Sequence, residues 1–465
     1  MIDLIIRGGT IIDGRGRSPF KGEIAVKGEK ISSIKQYINE KGRREINAKG
    51  LIVSPGFIDI HNHPDISLLI QPQMKYELYQ GVTTVVGGNC GFSLVPAGKM
   101  ARDTMFGIAS LNGMDTQWKS MEEYLNALNS LDIGINFATQ IGHGTVRAQI
   151  MGFQRRPPTS GELKEMGKEV EIAIKQGAFG LSTGLEYIPG RFAETKELIA
   201  LAQVASQNKA FYSSHTRAQD ASSACEAIDI AKQANISVQI SHLKKKDHEK
   251  ILSLIDRAER QGLNINYDLY PYTFASTAIQ SFVKPEGFIK GGEVLSEQAK
   301  KEMGQNNVFL IEDISRKEAE GIYLCSALHT TQLVGKTILQ IAEELACSCQ
   351  QAIAQILVEN KMDAWVIEPY SGYDTEIPDI MIQHPKGMFG SDSVHIPRSK
   401  ESKDMSHPRS FGTFPRILRK YVREKKLLSI EEAVRKMTSM PARKIGLSDR
   451  GVLDSGYAAA LLSQR

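Results

Sequence analysis

Six residues spread from His61 to Asp392 are of the types that hold a transition metal: His61, His63, Cys90, His215, His242 and Asp392. In an extended segment residues i and i+2 face the same side, so the run His61-Asn62-His63 can aim two imidazoles at one ion. Such a pair alone is weak evidence, because two histidines so spaced are more often exposed or bonded to neighbours. Cys90 stands between GGN and GFS, where glycines let the backbone come close to an ion. Taken singly, Cys90 reads as a buried inert thiol, His215 and His242 as satisfied core histidines, and Asp392 as a turn or cap residue. Taken together, imidazole, thiolate and carboxylate suit zinc, whereas calcium and magnesium prefer all-oxygen shells. Zinc lowers the pKa of water to about 7 and polarises a carbonyl, which leaves one carboxylate to carry the proton. Asp392 fits that task.

What lifts the six above coincidence is where they fall along the chain. From Val53 onward, apolar strand-like runs alternate with amphipathic stretches, the pattern of βα units around a parallel sheet. Eight strands are expected, at 53–63, 82–90, 135–143, 178–185, 210–215, 237–242, 264–270 and 387–392. Eight such units predict a (β/α)8 barrel of the TIM type, and the six residues then close strands one, two, five, six and eight, at the mouth where barrel enzymes do their chemistry. Stretches such as ELKEMGKEVEIAIKQ and IDIAKQAN supply the outer helices, and RILRKYVREKK and IEEAVRKMTSMPARKIG two more near the end. The first 52 residues read as short strands cut by glycine turns, the N-terminal part of a small β-sandwich domain. The barrel is expected over 53–440 and a return to the small domain over 441–465. More than a hundred residues separate Tyr270 from Gly387, far too many for one connection, so an inserted helical lid is expected at about 284–386.

Composition narrows the function classes. Of 465 residues, 41% are hydrophobic and 24% charged, which suits a folded globular chain. Fifty-seven basic against 53 acidic residues leave a net charge of +4, too little to imply nucleic acid or an anionic membrane as partner. No apolar run approaches the ~18 residues of a membrane span and no secretion signal opens the chain, so a cytoplasmic location is expected. Five cysteines, an odd and sparse set, argue against a disulfide framework. Cys347 and Cys349 sit in a helical-looking stretch and read as packing.

GFIDIHNHPD, VVGGNCGFS, GLSTGLEYIPGRFA, SSHTR, QISHLK, YPYTFAST, GSDS and HPRSFGTFPR, in that order over nearly the whole chain, resemble the N-acyl-D-amino-acid deacylase (D-aminoacylase) branch of the amidohydrolase superfamily. The resemblance implies a barrel with a small β-domain drawn from both termini, and hydrolysis of an N-acyl-D-amino acid, a small-molecule partner, to a carboxylate and a free D-amino acid. It implies one firmly bound zinc on Cys90, His215 and His242, and a second, weaker site on His61, His63 and Asp392. Asp392 would take a proton from water and return it to the departing amine. Lys244 and Arg409 would hold the substrate carboxylate, with Tyr187, Tyr270 and Ser276 donating hydrogen bonds in the pocket. Many superfamily members bridge two metals with a carbamylated lysine closing strand four. Here that strand ends STGLEY, so a cysteine bridge is the consistent alternative. Glu186 reads as a further carboxylate of the site or, more plainly, as pocket wall, and His143 as support behind the ligands. The family pattern continues past the G-Y-A-A element, whereas this chain reads GYAAALLSQR, a shortening expected to lower stability and to spare the active site.

Two other readings stand beside this one. A cyclic-amide hydrolase of the hydantoinase or dihydroorotase kind would keep the fold, though the missing strand-four lysine counts against it. A non-catalytic barrel scaffold would have no use for six retained ligands.

Overall fold

The computed structural model describes residues 1–96, 118–243, 247–284, 311–360, 364–369, 376–394 and 404–464. The strand Ile2–Ile11 is antiparallel to Phe20–Lys27, which pairs in turn with Lys30–Lys35, while Gly42–Asn47 and Ile52–Pro55 run parallel to the two ends of Ile2–Ile11. Leu461–Gln464 returns antiparallel to Ile52–Pro55 and completes six strands. Neighbouring residues on a strand point to opposite faces, so Ile5 packs with Ala25 and Ile38 on one side while Ile6 packs with Ile24, Ile31 and Val53 on the other.

The expected first barrel strand, 53–63, is two strands. Ile52–Pro55 belongs to the small sheet and Phe57–Asp59 to the barrel. Between them Gly56 passes so close to Thr83 that a Cβ would lie 2.2 Å from its Oγ1, so the crossing admits glycine alone.

The barrel follows as Phe57–Asp59, Val82–Val86, a third strand in two pieces, Gly180–Gly184, Phe211–His215, Val238–Ile240, Ile265–Leu269 and Gly387–Phe389. The third strand breaks at Thr139: Asn136–Ala138 pairs with the second strand and Gln140–Gly142 with the fourth. The circle closes between strands one and eight, where Asp392 N donates to His61 O at 2.8 Å and His63 N to Ser393 O at 2.9 Å. The chain is therefore a (β/α)8 barrel with a small β-domain and an insertion between strands seven and eight. Outer helices such as Ser160–Lys175, Ala221–Ala234 and His248–Arg260 bury faces spaced three and four residues apart, for example Ile251, Leu252, Ile255 and Ala258. The expected single helix over 430–446 is two, Ile430–Met437 and Ser439–Ile445. Pro441 lacks the N–H that would bond Met437, so the first helix ends there.

The insertion differs from the expected helical lid. Helices Arg316–Gly321, Ile338–Glu344 and Cys349–Glu359 pack on a three-stranded antiparallel sheet of Phe274–Ala278, Ala364–Pro369 and Tyr323–Ala327. It has its own apolar core, with Leu324, Ile338, Ile353, Leu357 and Val366 fully buried. Each strand spans only five or six residues and pairs across long loops, so no regular spacing in the sequence announces the sheet.

At the opposite end of the barrel from the mouth, two buried lysines pin the last helices to the starts of strands. Lys444 Nζ reaches Ser237 Oγ at 2.7 Å, Val238 O at 2.9 Å and Asn264 O at 3.3 Å, while Lys436 Nζ donates to the carbonyls of His384 and Gly387. Lys444→Met is expected to lower unfolding free energy by roughly 2–4 kcal/mol, since a buried carbonyl stripped of its donor costs ~1–3 kcal/mol. Urea melts of the two proteins measure this, and metal affinity, set at the far end, should not change.

Candidate metal centre

Strand one delivers the H-N-H run to the mouth through Asp59. That carboxylate accepts Ser391 N at 2.8 Å and Asn62 Nδ2 at 2.8 Å, and so fastens the residue between the two histidines to the neighbour of Asp392. Cys90 follows strand two in a loop seated on the end of strand four, where a Cβ on Gly184 would lie 2.0 Å from Cys90 O. The Cys90 backbone thus leaves no room for a side chain, a bridging lysine's included, at Gly184. Cys90, His242 and Asp392 all adopt left-handed backbone, at φ 53°, 33° and 50°. Non-glycine residues rarely accept this, at about 1–3 kcal/mol each.

The six expected ligands form two groups that share one residue. His61, His63, Cys90 and Asp392 offer atoms within 4.8 Å of one another, and so do Cys90, His215 and His242. Cys90 Sγ lies 3.4 Å from His61 Nε2 and 3.5 Å from His242 Nε2. His215 Nδ1 stands 2.8 Å from His242 Nε2, and Asp392 Oδ1 lies 3.2 Å from His63 Nε2 and 3.4 Å from His61 Nε2. All but His63 are essentially inaccessible to solvent. A thiolate, four imidazoles and a carboxylate with their donor atoms turned inward make a set that fits zinc.

Three of the four rings also have a partner at the nitrogen turned away from the cluster. His61 Nδ1 meets Asp268 Oδ1 at 3.1 Å, and His215 Nε2 meets Glu186 Oε2 at 2.7 Å. His242 Nδ1 meets the amide of Gln219 at 3.3 Å. Such partners fix which nitrogen carries the proton and which faces the ion. Glu186 is therefore more than pocket wall. Asp268 and Gln219 escaped the sequence reading, although Asp268 had a signal: it lies two residues before Tyr270, so both point into the barrel from strand seven. His143 makes its contact elsewhere, with Nε2 2.8 Å from Glu197 Oε1 in a buried cluster with Arg147.

The pocket residues gather next to Asp392. Arg409 Nη1 pairs with Asp392 Oδ2 at 2.8 Å, Nη2 donates to Ser276 O at 3.2 Å, and the guanidinium lies over the Tyr270 ring, 4.6 Å from its centre. Ser276 comes from the inserted sheet, Tyr270 from the end of strand seven. Tyr187 sets its ring edge-on to His215, 4.7 Å between centres. Lys244 lies outside the described residues.

Electrostatics favour a cation here. Burial alone would raise the Cys90 thiol, but the imidazoles of His61, His242 and His215 hold it well below the usual thiol range. Burial would also raise Asp392, but Arg409, His61 and His63 hold it well below the carboxylate range. Against burial, Asp392 and Cys90 push His63 up to about 9, and Cys90 and Glu186 push His215 up to about 9. Where no metal sits, protons hold the place of positive charge.

An eight-stranded barrel with this donor set at its C-terminal mouth has the architecture of a barrel metalloenzyme. Residues 44–286 match the amidohydrolase family. The chain is 32% identical over 464 residues to the N-acyl-D-glutamate deacylase of Alcaligenes xylosoxydans xylosoxydans, covering 98% of this chain and 86% of that protein. It is 29% identical to the D-aminoacylase of the same organism, covering 99% and 87%. The fold is similar, with a TM-score of 0.83 and 29% identity over 99% of this chain and 90% of the other, to the crystal structure of N-acyl-D-glutamate deacylase from Bordetella bronchiseptica complexed with zinc and a phosphonate mimic of the tetrahedral intermediate. The chain belongs to the amidohydrolase family.

The raised histidines give a pH signature. In the metal-free protein their protonation stabilises the fold fully below pH 6.5, and that contribution is lost as pH rises through about 9. A bound metal replaces those protons, so zinc affinity should climb with pH up to about 9, each raised histidine that becomes a ligand giving up its proton. Zinc titrations at several pH values with an indicator dye test this; a flat affinity would contradict it.

Proposed function

We propose that this protein is a zinc-dependent hydrolase of N-acyl-D-amino acids, releasing a carboxylate and a free D-amino acid. The observation that carries the reading is the position of Asp392, whose one oxygen faces both histidines of the first ligand group while the other is paired with a buried arginine. Similarity to the N-acyl-D-glutamate deacylase and D-aminoacylase over almost the whole chain supports the substrate class. In this reading Cys90, His215 and His242 hold the tightly bound ion, and His61, His63 and Asp392, with Cys90 shared, form a second, weaker site. When bound, zinc supplies Lewis acidity, polarising the amide carbonyl and making water acidic enough to attack near neutral pH.

The chain's own groups do the rest. Asp392, held ionised by Arg409 and the histidines, accepts the proton of the attacking water and passes it to the leaving nitrogen. Arg409, stacked on Tyr270 and braced by the Ser276 carbonyl, turns a fixed positive face toward the substrate α-carboxylate, and Lys244 adds a second cation. Tyr187, half-buried, and Tyr270, buried, sit where desolvation lets their hydroxyls keep their protons, and donate to carboxylate or acyl oxygen, with Ser276 beside them. We place the protein in the cytoplasm, a reading supported by five unpaired cysteines. Among the described residues no helix is long and apolar enough to cross a membrane.

The test is hydrolysis of matched N-acetyl-D- and N-acetyl-L-amino acids by zinc-reconstituted protein with a chelated control. Chelator-sensitive turnover confined to D-substrates is expected; ring opening of cyclic amides in its place would overturn the reading. Asp392→Ala should keep the tightly held zinc and lose at least ~10²-fold in kcat, the lower end of what a positioned proton carrier contributes. Cys90→Ala should instead lose the tightly held zinc, and equal zinc retention by both variants would contradict the assigned roles.

A further inference from the structure

Asp268 is one of the most deeply buried acids of the chain, 1% exposed, and three donors converge on it. His61 Nδ1 lies 3.1 Å and His242 N 2.8 Å from Oδ1, while Gln239 Nε2 donates to Oδ2 at 2.8 Å. Its backbone carbonyl also accepts Leu243 N at 2.7 Å. The residue thus grips both sides of the His242 peptide, just where the chain is forced to φ 33°. A carboxylate is suited to this task, since it accepts on every side and donates nowhere.

We propose that Asp268 is a positioning residue that couples the two ligand groups. Its carboxylate keeps the proton of His61 on Nδ1, leaving Nε2 to face Cys90 and Asp392, and the same oxygen holds the His242 backbone in the left-handed turn that aims its ring at Cys90 and His215. One buried charge therefore sets the affinity of both groups. This rests on the ligand assignment proposed above and adds to it a residue that contacts no ion.

Asp268→Asn separates charge from shape. Gln239 Oε1 has no partner, so its amide can turn over to receive the new Asn Nδ2 while Oδ1 still accepts from His61 and His242. The full metal-free chain and this variant are titrated with zinc against a chromophoric chelator, and with cobalt to follow the absorption bands of the ligand field. The expected result is zinc affinity lowered roughly 10- to 100-fold at both affinities together, with shifted cobalt bands and unchanged far-ultraviolet circular dichroism. Wild-type affinities at both, or a loss at one with the other untouched, would overturn the proposal. If Asp268→Asn does not fold, Gln239→Leu frees the carboxylate to rotate and should weaken both affinities in the same direction; unchanged values would be equally fatal. A wild-type chain that binds no zinc would bring down the ligand assignment itself.

Discussion

Two backbone hydrogen bonds, Asp392 N to His61 O and His63 N to Ser393 O, close the barrel, and three of the four residues they join are candidate metal ligands. The mouth cannot exist until strand eight has met strand one across 329 positions of sequence. Contacts so far apart are entropically slow to make, so the site is completed only when the fold is. The inserted sheet enters the chain between strands seven and eight, and its Ser276 reaches Arg409 only once that closure has been made.

That arrangement explains where strain is tolerated. Three candidate ligands take left-handed backbone, and each is held by contacts that belong to the barrel as much as to the site. Asp392 is tied by its own N–H to His61 O, and His242 by Asp268. The Cys90 loop is wedged against Gly184, which leaves no space for a side chain. A rigid parallel barrel can hold such conformations because its strands are fixed on both flanks, whereas a free loop would relax out of them.

The strands and the candidate ligands were legible in the sequence for one reason: a barrel places the last residues of its strands at one mouth, so polar residues closing apolar runs stand out from the pattern. Every expected strand is present, with ends trimmed by a few residues. The rest was hidden where structure is set by contacts far away in the chain. Gly56 divides a single apolar run because Thr83 passes beneath it, and the inserted sheet pairs segments nearly ninety residues apart. Asp268 reads as an ordinary strand residue until His61 and His242 are seen to converge on it. Glu186 looks like wall until His215 is found at 2.7 Å.

The charges in mutual contact at the mouth bear on how many ions it holds firmly. Cys90, Asp392 and Asp268 are buried anions, and Arg409 is a buried cation paired with one of them. A single divalent ion brings that buried set to neutrality. A second adds two further positive charges to a site closed off from water, and charge buried without compensation is costly. The histidines cannot help, since they coordinate as neutral rings. A lysine carbamate would have carried its own negative charge to a bridging position, whereas the residue shared by the two groups here is a thiolate that would already be counted for the first ion. The second group of ligands can therefore be geometrically complete and still bind more weakly. The arginine that holds Asp392 ionised would, on this count, also be what disfavours a second ion.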